Sequence, residues 1–472
     1  MSKSTPSVKE HLERAKAGEI ALATFIRETL EKSDSIQKKY GPFITINRSA
    51  RVPPRKGALF GLPISVKDNI CTKGLQTTAG SKILEGYIPP FNATCIEKAE
   101  AAGGIILGKT TQDEFGFGTF NVNTRYSIPK NPFDTERSCG GSSGGAGCLT
   151  AVADFPQVAI AESTGGSITA PAAFTGTVGL TPTYGRISRY GLVDYSNSMD
   201  KIGVIGRCVY DTALLLSVIS GHDPLDSTSS SQPVPDFTGS VGKEIAKIKI
   251  GMPKEYFSDG VDKRISKAVR GTADELVSLG ASVEETSMPM TNYALPAYYL
   301  IAMSEASTNL AKYCGLRYGV QEDTDENFDE YFSKIRSEAF GEEAKRRILL
   351  GTYSRMAGFR DAYYLKALKV RTKIIEEFRA QFGRFDALLA PSMPILPPKF
   401  SEIAKLTPIQ VYGIDMLTIA PNMAGMPTLS VPIGMIDKLP VGVQFISNQF
   451  NESTLIALGS AIEGLNGGHD RA

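Results

Sequence analysis

Apolar residues follow a helical period at the start of the chain and then form short runs between glycines and prolines. From residue 8 to residue 32 they fall near a period of 3.6, which predicts one amphipathic helix on the outside of the main body. Beyond Gly57 the runs shorten, and three of them predict buried strands: 64–66, 105–107 and 158–161. Helical segments at 94–102 and 210–219 separate these strands.

The same alternation of strands and helices resumes in the second half of the chain. The predicted strands there are 247–251, 281–285, 387–390, 429–433 and 441–446. The predicted helices are 261–279, most of 292–381, and 452–465. Alternation of this kind predicts an α/β fold in which a sheet carries helices on both faces. Residues 224–243 are rich in serine, proline and glycine, which predicts a surface excursion.

Composition and charge exclude several classes of protein. Hydrophobic residues make up 42% of the 472 residues and charged residues 21%, as in folded globular proteins. The 51 basic and 50 acidic residues nearly cancel, so any nucleic acid would be held mainly by another chain. Six cysteines without a CxxC pair, and a start without a signal peptide, predict reduced thiols in the cytoplasm. No apolar run approaches the roughly 20 residues of a membrane span.

Two glycine-serine clusters carry the candidate chemistry. They are Cys-Gly-Gly-Ser-Ser-Gly-Gly at 139–145 and Ser-Thr-Gly-Gly-Ser-Ile-Thr-Ala-Pro at 163–171. A phosphate loop would need GxxxxGK[ST], which is absent, so acyl transfer is the better interpretation. Ser167 lies between a predicted strand and a predicted helix and is the candidate nucleophile. The backbone amides of Thr164, Gly165 and Gly166 are the candidate oxyanion hole.

A serine nucleophile needs a base, and the chain offers few. Residues 141–145 match G-x-S-x-G, and His222 downstream would complete a Ser-Asp-His order, although glycine-rich loops produce this match by chance. The remaining candidate is Lys67, at the end of a predicted buried strand. Burial disfavours an ammonium and should lower its pKa, so that Lys67 could accept a proton. Most lysines at strand ends are nevertheless solvated and structural.

Taken together, these stretches resemble the amidase signature family. Residues 61–69 match its lysine motif, 140–145 its GGSSGG motif and 164–172 its nucleophile loop, in the family's order. The resemblance implies one domain over 1–472, built on a large mixed central sheet flanked by helices on both faces. Its expected parts are N-terminal helices at 7–56, a catalytic core at 57–223, the excursion at 224–243, and a C-terminal α/β part at 244–465.

The resemblance also implies a catalytic set of a serine, a second serine with a cis peptide, and a lysine. These map onto Ser167, Ser142 and Lys67, with the proton passing from Ser167 through Ser142 to Lys67. Ser143 is adjacent to Ser142 and remains an alternative for the second serine.

Within the family, residues 108–116, 182–192 and 298–319 resemble the glutaminase A subunits of aspartyl/glutamyl-tRNA amidotransferases. This implies that glutamine is hydrolysed through an acyl-enzyme and that ammonia passes to a partner, in a complex with B and C subunits. Charged tRNA, glutamyl or aspartyl, together with ATP and magnesium, would belong mainly to the partner; no cofactor or metal is expected in this chain. Tyr298, Arg347 and Asp415 would bind glutamine, with Tyr299 and Arg346 as neighbours one position away.

The chain departs from the family pattern at three positions. Ser163 replaces a common aspartate, Thr169 replaces an arginine and Phe133 replaces a tryptophan. The first two flank the nucleophile loop and leave the reacting groups intact. They motivate one alternative, a non-catalytic scaffold of the same fold. A stand-alone amidase acting on another amide is a second alternative.

Overall fold

The structure is a computed structural model that describes residues 7–322 and 327–465. These ranges contain fifteen α-helices: α1 (Val8–Ala17), α2 (Leu22–Tyr40), α3 (Thr94–Ala101), α4 (Gly144–Val152), α5 (Thr169–Thr175), α6 (Val209–Ile219), α7 (Lys263–Ser278), α8 (Ala294–Asn309), α9 (Phe328–Ala339), α10 (Glu342–Arg355), α11 (Lys366–Phe382), α12 (Phe400–Ile403), α13 (Pro408–Gly413), α14 (Ile419–Met423) and α15 (Glu452–Leu465). They contain eleven strands: β1 (Phe43–Ile46), β2 (Pro63–Lys67), β3 (Ile105–Thr110), β4 (Val158–Ser163), β5 (Val178–Thr181), β6 (Lys201–Gly206), β7 (Lys249–Pro253), β8 (Ser282–Thr286), β9 (Ala387–Pro391), β10 (Thr428–Ile436) and β11 (Leu439–Ser447).

All eleven strands form one mixed sheet in the order β1-β3-β2-β4-β6-β5-β10-β11-β9-β7-β8. The predicted α/β class with a large mixed sheet is therefore confirmed. Strands β1, β5 and β6 are not among the strands that the apolar pattern predicts. The first two have only four residues each, and β6 contains two glycines, so none of them forms the long apolar run that marks a strand.

The single helix predicted for residues 8–32 is wrong, because two helices lie there. The first, α1, ends at Gly18, whose φ of 79° is left-handed and whose amide N–H donates to the carbonyls of Ala15 and Arg14. Glycine adopts this conformation at little cost and commonly ends helices. The chain then restarts as α2 and continues to Tyr40.

Two large apolar clusters lie on opposite faces of the sheet. Along β9, Ala387 and Leu389 belong to the first cluster, whereas Leu388 and Ala390 belong to the second. Successive side chains of a strand point to opposite faces, so this alternation assigns one cluster to each face. The sheet is thus covered by helices on both sides.

The strand pairing places three chain segments side by side at one edge of the sheet. Strand β2 is parallel to both of its neighbours, β3 and β4. The carboxyl ends of parallel strands meet at the same edge, where ligands bind in open α/β sheets. The residues that follow these strands are therefore neighbours although they lie far apart in sequence.

The excursion at 224–243 does not divide the sheet. Strand β5, before it, pairs with β10, after it, so the two parts of the chain share one sheet. The segment is irregular apart from a short 3-10 turn at Phe237–Ser240. Phe237 is fully buried in the first apolar cluster, which anchors the end of the segment to the body.

We predict that Gly351→Ala destabilises the fold by about 1–3 kcal/mol or more. Helix α10 packs on α8, and a Cβ at Gly351 would lie 1.8 Å from the Met303 carbonyl oxygen, so the two helices would have to separate. The measurement is the thermal unfolding midpoint.

Gly271→Ala in α7 is the matched control, because a Cβ there meets nothing within 4 Å. Alanine favours helix by about 1 kcal/mol over glycine, so this control should be as stable as the parent or more so. Equal midpoints for the Gly351→Ala and Gly271→Ala chains would contradict the close packing of α8 on α10.

Candidate active site

Lys67 is the last residue of β2 and is completely buried. Its Nζ lies 2.7 Å from Ser142 Oγ and 2.9 Å from the main-chain oxygen of Glu162. Every residue of β2 is buried, and Lys67 leaves the strand at the edge where β3 and β4 also end. The structure therefore places the amine within bonding reach of a serine hydroxyl that lies 75 residues further along the chain.

Ser142 lies in the glycine-rich loop before α4, and the peptide bond between Gly141 and Ser142 is cis. A Cβ at Gly141 would lie 2.4 Å from Asp113 Oδ2, so only glycine fits at that position. The neighbouring hydroxyl of Ser143 donates instead to the Glu162 carbonyl at 3.0 Å. Of the two serines left open by the sequence, Ser142 is the one that Lys67 contacts.

Ser167 lies in the loop between β4 and α5 and is 7% exposed. The amide N–H of Ser143 donates to the Ser167 carbonyl at 3.2 Å, which joins the two glycine-serine loops. The amide N–H groups of Gly165 and Gly166 have no acceptor among the residues that the structure describes. A buried loop with unpaired amides beside a serine is what an oxyanion hole requires.

Glu162 is a site residue that the sequence analysis missed. Its carboxylate Oε2 lies 2.8 Å from Lys67 Nζ, and both side chains are buried. Glu162 thus supplies a buried counter-charge for the amine, which burial of the lysine alone does not take into account. The available signal was a carboxylate directly after the apolar run 158–161, a position where an unpaired charge would be costly.

Arg347 is buried on α10 among aromatic rings. Its Nε donates to Glu343 Oε1 at 2.8 Å and its Nη1 donates to the Tyr195 hydroxyl at 2.5 Å. Within the described residues its Nη2 has no partner, so part of the guanidinium is available to a ligand. Arg346 is half-exposed and pairs with Glu343, whereas Arg347 is buried, which favours Arg347 as the ligand-binding arginine.

Asp415 is half-buried and lies next to the same aromatic cluster. Its Oδ2 accepts hydrogen bonds from Thr119 Oγ1 at 2.9 Å and from the Tyr299 hydroxyl at 3.1 Å. Burial raises the pKa of Asp415 to about 6. The Tyr298 hydroxyl lies instead beside Gly165, where an added Cβ would approach it to 3.1 Å. The two adjacent tyrosines thus face different parts of the site.

A cavity of about 230 Å³ opens beside these groups. Arg347, Thr119 and Tyr412 are among the residues that line it, whereas Ser167 is not. The Thr119 hydroxyl connects the cavity wall to Asp415. The volume suits a small polar molecule that contacts Arg347; Asp415 is not among the lining residues and is reached through Thr119.

The histidine alternative is not supported by the geometry. His222 Nδ1 lies 3.1 Å from Ser229 Oγ, in the excursion. Asp223 accepts hydrogen bonds from Ser188 and Thr94 and forms no dyad with His222. His11 is hydrogen-bonded to the Gly61 carbonyl, and His469 lies outside the described residues.

The three residues that depart from the family pattern, Ser163, Thr169 and Phe133, are all uncharged. The Ser163 hydroxyl donates to the Gly165 carbonyl at 3.1 Å, which braces the nucleophile loop, and Thr169 is buried at the first position of α5. The Phe133 ring packs near Gly176, away from the two glycine-serine loops.

Neither a metal cluster nor a membrane helix occurs in the described part of the chain. Within residues 7–322 and 327–465, no group of three or more His, Cys, Asp or Glu side chains is placed to hold a metal ion. In the same ranges no helix combines the length and apolar character needed to cross a bilayer.

Comparison with known proteins places this geometry among amidases. The Amidase family model matches residues 7–456. The glutamyl-tRNA(Gln) amidotransferase A subunit of Carboxydothermus hydrogenoformans is 47% identical, over 97% of this chain and 96% of its own. The protein of the same name from Methanococcoides burtonii is 48% identical, over 86% of this chain and 85% of its own. The crystal structure of the Thermotoga maritima protein of that name matches with a TM-score of 0.83 at 34% identity, covering 97% of this chain and 94% of that one.

We predict that Gly166→Ala slows acylation of Ser167 by at least about tenfold. A Cβ at Gly166 would lie 2.4 Å from Thr418 Oγ1 and 3.0 Å from its Cβ, so the loop must move and its unpaired amides must turn. Loss of one oxyanion donor costs about 10²–10³ in rate, and a partial displacement costs less. The measurement is the rate of covalent labelling of Ser167 by a serine-directed phosphonate.

Gly413→Ala is the matched control, because a Cβ there meets nothing within 4 Å. Ser167 in the Gly413→Ala chain should be labelled at the same rate as in the parent chain. An unchanged rate in the Gly166→Ala chain would mean that the loop amides do not receive the oxyanion.

Proposed function

The chain belongs to the amidase family, and from that premise we propose that it is the glutamine-hydrolysing component of a tRNA-dependent amidotransferase. The relatives named as glutamyl-tRNA(Gln) amidotransferase A subunits align with nearly all of it. The observation that carries the proposal is the 2.7 Å contact between Lys67 Nζ and Ser142 Oγ, in a site that also contains buried Arg347 and half-buried Asp415.

In the proposed reaction Ser167 Oγ attacks the side-chain amide carbon of glutamine. As the O–C bond forms, the Ser167 proton moves to Ser142, and the Ser142 proton moves to neutral Lys67. The negative charge on the amide oxygen is received by loop amides at Thr164, Gly165 and Gly166. The proton returns through Ser142 to the leaving nitrogen, the C–N bond breaks and ammonia departs. Water then attacks the ester by the same relay and releases glutamate.

The substrate is held by charges of opposite sign. We assign the α-carboxylate of glutamine to Arg347, whose Nη2 is available, and the α-ammonium to Asp415. An arginine fork suits a carboxylate, and an aspartate suits an ammonium. Tyr298 lies beside Gly165 and is assigned to the reacting amide end. Amides that lack both α groups would lose these contacts and bind weakly.

The ammonia is delivered to a partner in this proposal. The relatives are named as one lettered component of an amidotransferase, which implies further components. We assign glutamyl-tRNA, aspartyl-tRNA or both to a B subunit, with a C subunit completing the complex. The near-zero formal charge of +1 supports a chain that does not grip tRNA by itself. ATP and magnesium are assigned to the partner, and no cofactor is assigned to this chain. Six free thiols support a reducing, cytoplasmic setting.

Ser167→Ala should abolish glutamine-dependent amidation of charged tRNA by the reconstituted complex while leaving ammonia-dependent amidation intact. The substitution removes the nucleophile but leaves the partner's chemistry untouched. The measurement is amidated tRNA formed with glutamine, and separately with ammonium chloride, as the nitrogen source.

Ser143→Ala is the matched control, since Ser143 donates to a carbonyl and not to the lysine. It should retain far more glutamine-dependent activity than Ser167→Ala. Glutamine hydrolysis by the Ser167→Ala complex at the parent rate would refute the proposed nucleophile.

The KM for glutamine should rise about tenfold per pH unit as the pH falls below about 6. Burial raises the pKa of Asp415 to about 6, so the free site loses its negative charge below that value. The glutamine ammonium binds only the ionised form, so affinity is present above this pH and is lost below it. The measurement is KM between pH 5 and pH 8.

The Asp415→Asn chain should bind glutamine weakly at every pH and should lack this component of the pH dependence. A KM in the parent chain that does not change between pH 8 and pH 5 would contradict the assignment of Asp415 to the ammonium.

A further inference from the structure

A second carboxylate lies behind Glu162, joined to it by one hydroxyl. Glu162 Oε1 lies 3.0 Å from Thr164 Oγ1, which in turn lies 2.8 Å from Asp200 Oδ1. All three side chains are buried. Glu162 Oε2 faces Lys67 and also accepts a hydrogen bond from Asn69 Nδ2 at 3.1 Å. Two buried acids and one buried amine thus form a chain in contact with the proposed relay.

Counting donors fixes where one proton lies. The Thr164 hydroxyl has a single hydrogen and cannot donate to both carboxylates, so one acid must donate to it. Glu162 faces the Lys67 amine at 2.8 Å, whereas Asp200 forms no ion pair within the described residues, so the proton is assigned to Asp200. Asp200 Oδ2 accepts two amide N–H bonds, from Tyr195 at 2.8 Å and Ser196 at 2.9 Å, which leaves Oδ1 as the atom that carries this proton. Burial, and then the charge of Glu162, raise the pKa of Asp200 well above its ordinary value. The chain therefore runs from protonated Asp200 through Thr164 to the Glu162 carboxylate.

The same count fixes the orientation of Lys67. A neutral amine has two hydrogens and one lone pair, and Nζ has three oxygen neighbours within 3 Å. Two of these, the main-chain oxygen and Oε2 of Glu162, can only accept hydrogen bonds when the carboxylate is ionised. They take both hydrogens, so the lone pair is left facing the Ser142 hydroxyl. Glu162 alone supplies both acceptors.

We infer that Glu162 is a positioning residue of the proton relay. Its carboxylate aims the lone pair of neutral Lys67 at Ser142 and then stabilises the ammonium that forms when the proton arrives, while Asp200 stores the proton of the acid pair. This inference rests on the proposed function only in requiring that Ser167 is acylated. It does not depend on glutamine being the substrate.

The cluster also faces other charged or titratable groups, which the test must leave unchanged. They are Asp113 after β3, and Arg189, Asp194 and Tyr195 between β5 and β6. None of them contacts Lys67 Nζ through a hydrogen bond in the described residues. Neither test substitution replaces any of these four groups.

The test is the pH dependence of Ser167 labelling by a serine-directed phosphonate in the full-length chain. The relay needs a neutral amine, and a neighbouring negative charge favours the ammonium. Glu162→Gln keeps a similar shape and removes the charge. The midpoint of the rise in labelling rate with pH should then move down by about one to three units, the range typical of losing one adjacent charge. The plateau rate should fall by about tenfold, because the ammonium formed on acylation loses its counter-charge.

Asp200→Asn tests the proton assignment, because an amide donates to Thr164 as a protonated acid does. Its midpoint should equal that of the parent, with a plateau rate within about threefold. A loss of packing alone would lower the rate in either chain without moving the midpoint. Thermal unfolding of both chains checks that they fold.

Three outcomes would overturn the inference, and they are distinguishable. An unmoved midpoint in Glu162→Gln overturns the role of Glu162. A midpoint in Asp200→Asn that falls by about one unit or more below that of the parent shows that Asp200 is ionised and overturns the proton assignment, even if the Glu162→Gln chain fails to fold. A parent chain that is not labelled at any pH overturns the proposed function together with this inference.

Discussion

The hydrogen bonding of one buried amine is the constraint on which the site depends. Lys67 Nζ has three oxygen neighbours, and they come from the two elements that the chemistry must bring together: the glycine-serine loop with Ser142, and the end of β4 before the nucleophile loop. A buried amine without partners would be costly, so these contacts specify one arrangement of both loops. Breaking such a pair by removing one partner typically costs about 3–5 kcal/mol, which ties the catalytic geometry to the stability of the core.

The sheet makes this convergence possible. Because β2 lies between two parallel neighbours, the ends of β2, β3 and β4 present Lys67, the segment with Asp113, and the Ser167 loop at one edge. Helices on both faces bury these strands, which keeps water from the amine. Glycine is required where the loops cross: Gly141 lies against Asp113, and Gly166 lies against Thr418. The site is thus a property of strand order as much as of any single motif.

The candidate reacting residues could be identified from the sequence because each lies in a local pattern. A lysine at the end of an apolar run and serines in glycine-rich loops are visible within about ten residues of sequence, and the family resemblance joined them. Glu162 was missed because its partner is 95 residues away, and its meaning depends on the parallel pairing of β2 with β4. Asp200 was missed for the same reason, since only the antiparallel pairing of β4 with β6 brings it to Thr164. The break at Gly18 was missed because the apolar period continues across it. The domain boundaries and the roles of the site residues stay predictions.

The central claim is that Lys67 is the base for Ser167, and its removal tests this most directly. Lys67→Met keeps most of the length of the side chain and deletes the amine; combined with Glu162→Gln it leaves no uncompensated buried carboxylate. The measurement is the phosphonate labelling rate of Ser167 in both chains, with thermal unfolding to confirm folding. The account predicts a loss of about a thousandfold in each, within the range typical of a deleted general base. Labelling of either folded chain at the parent rate would contradict it.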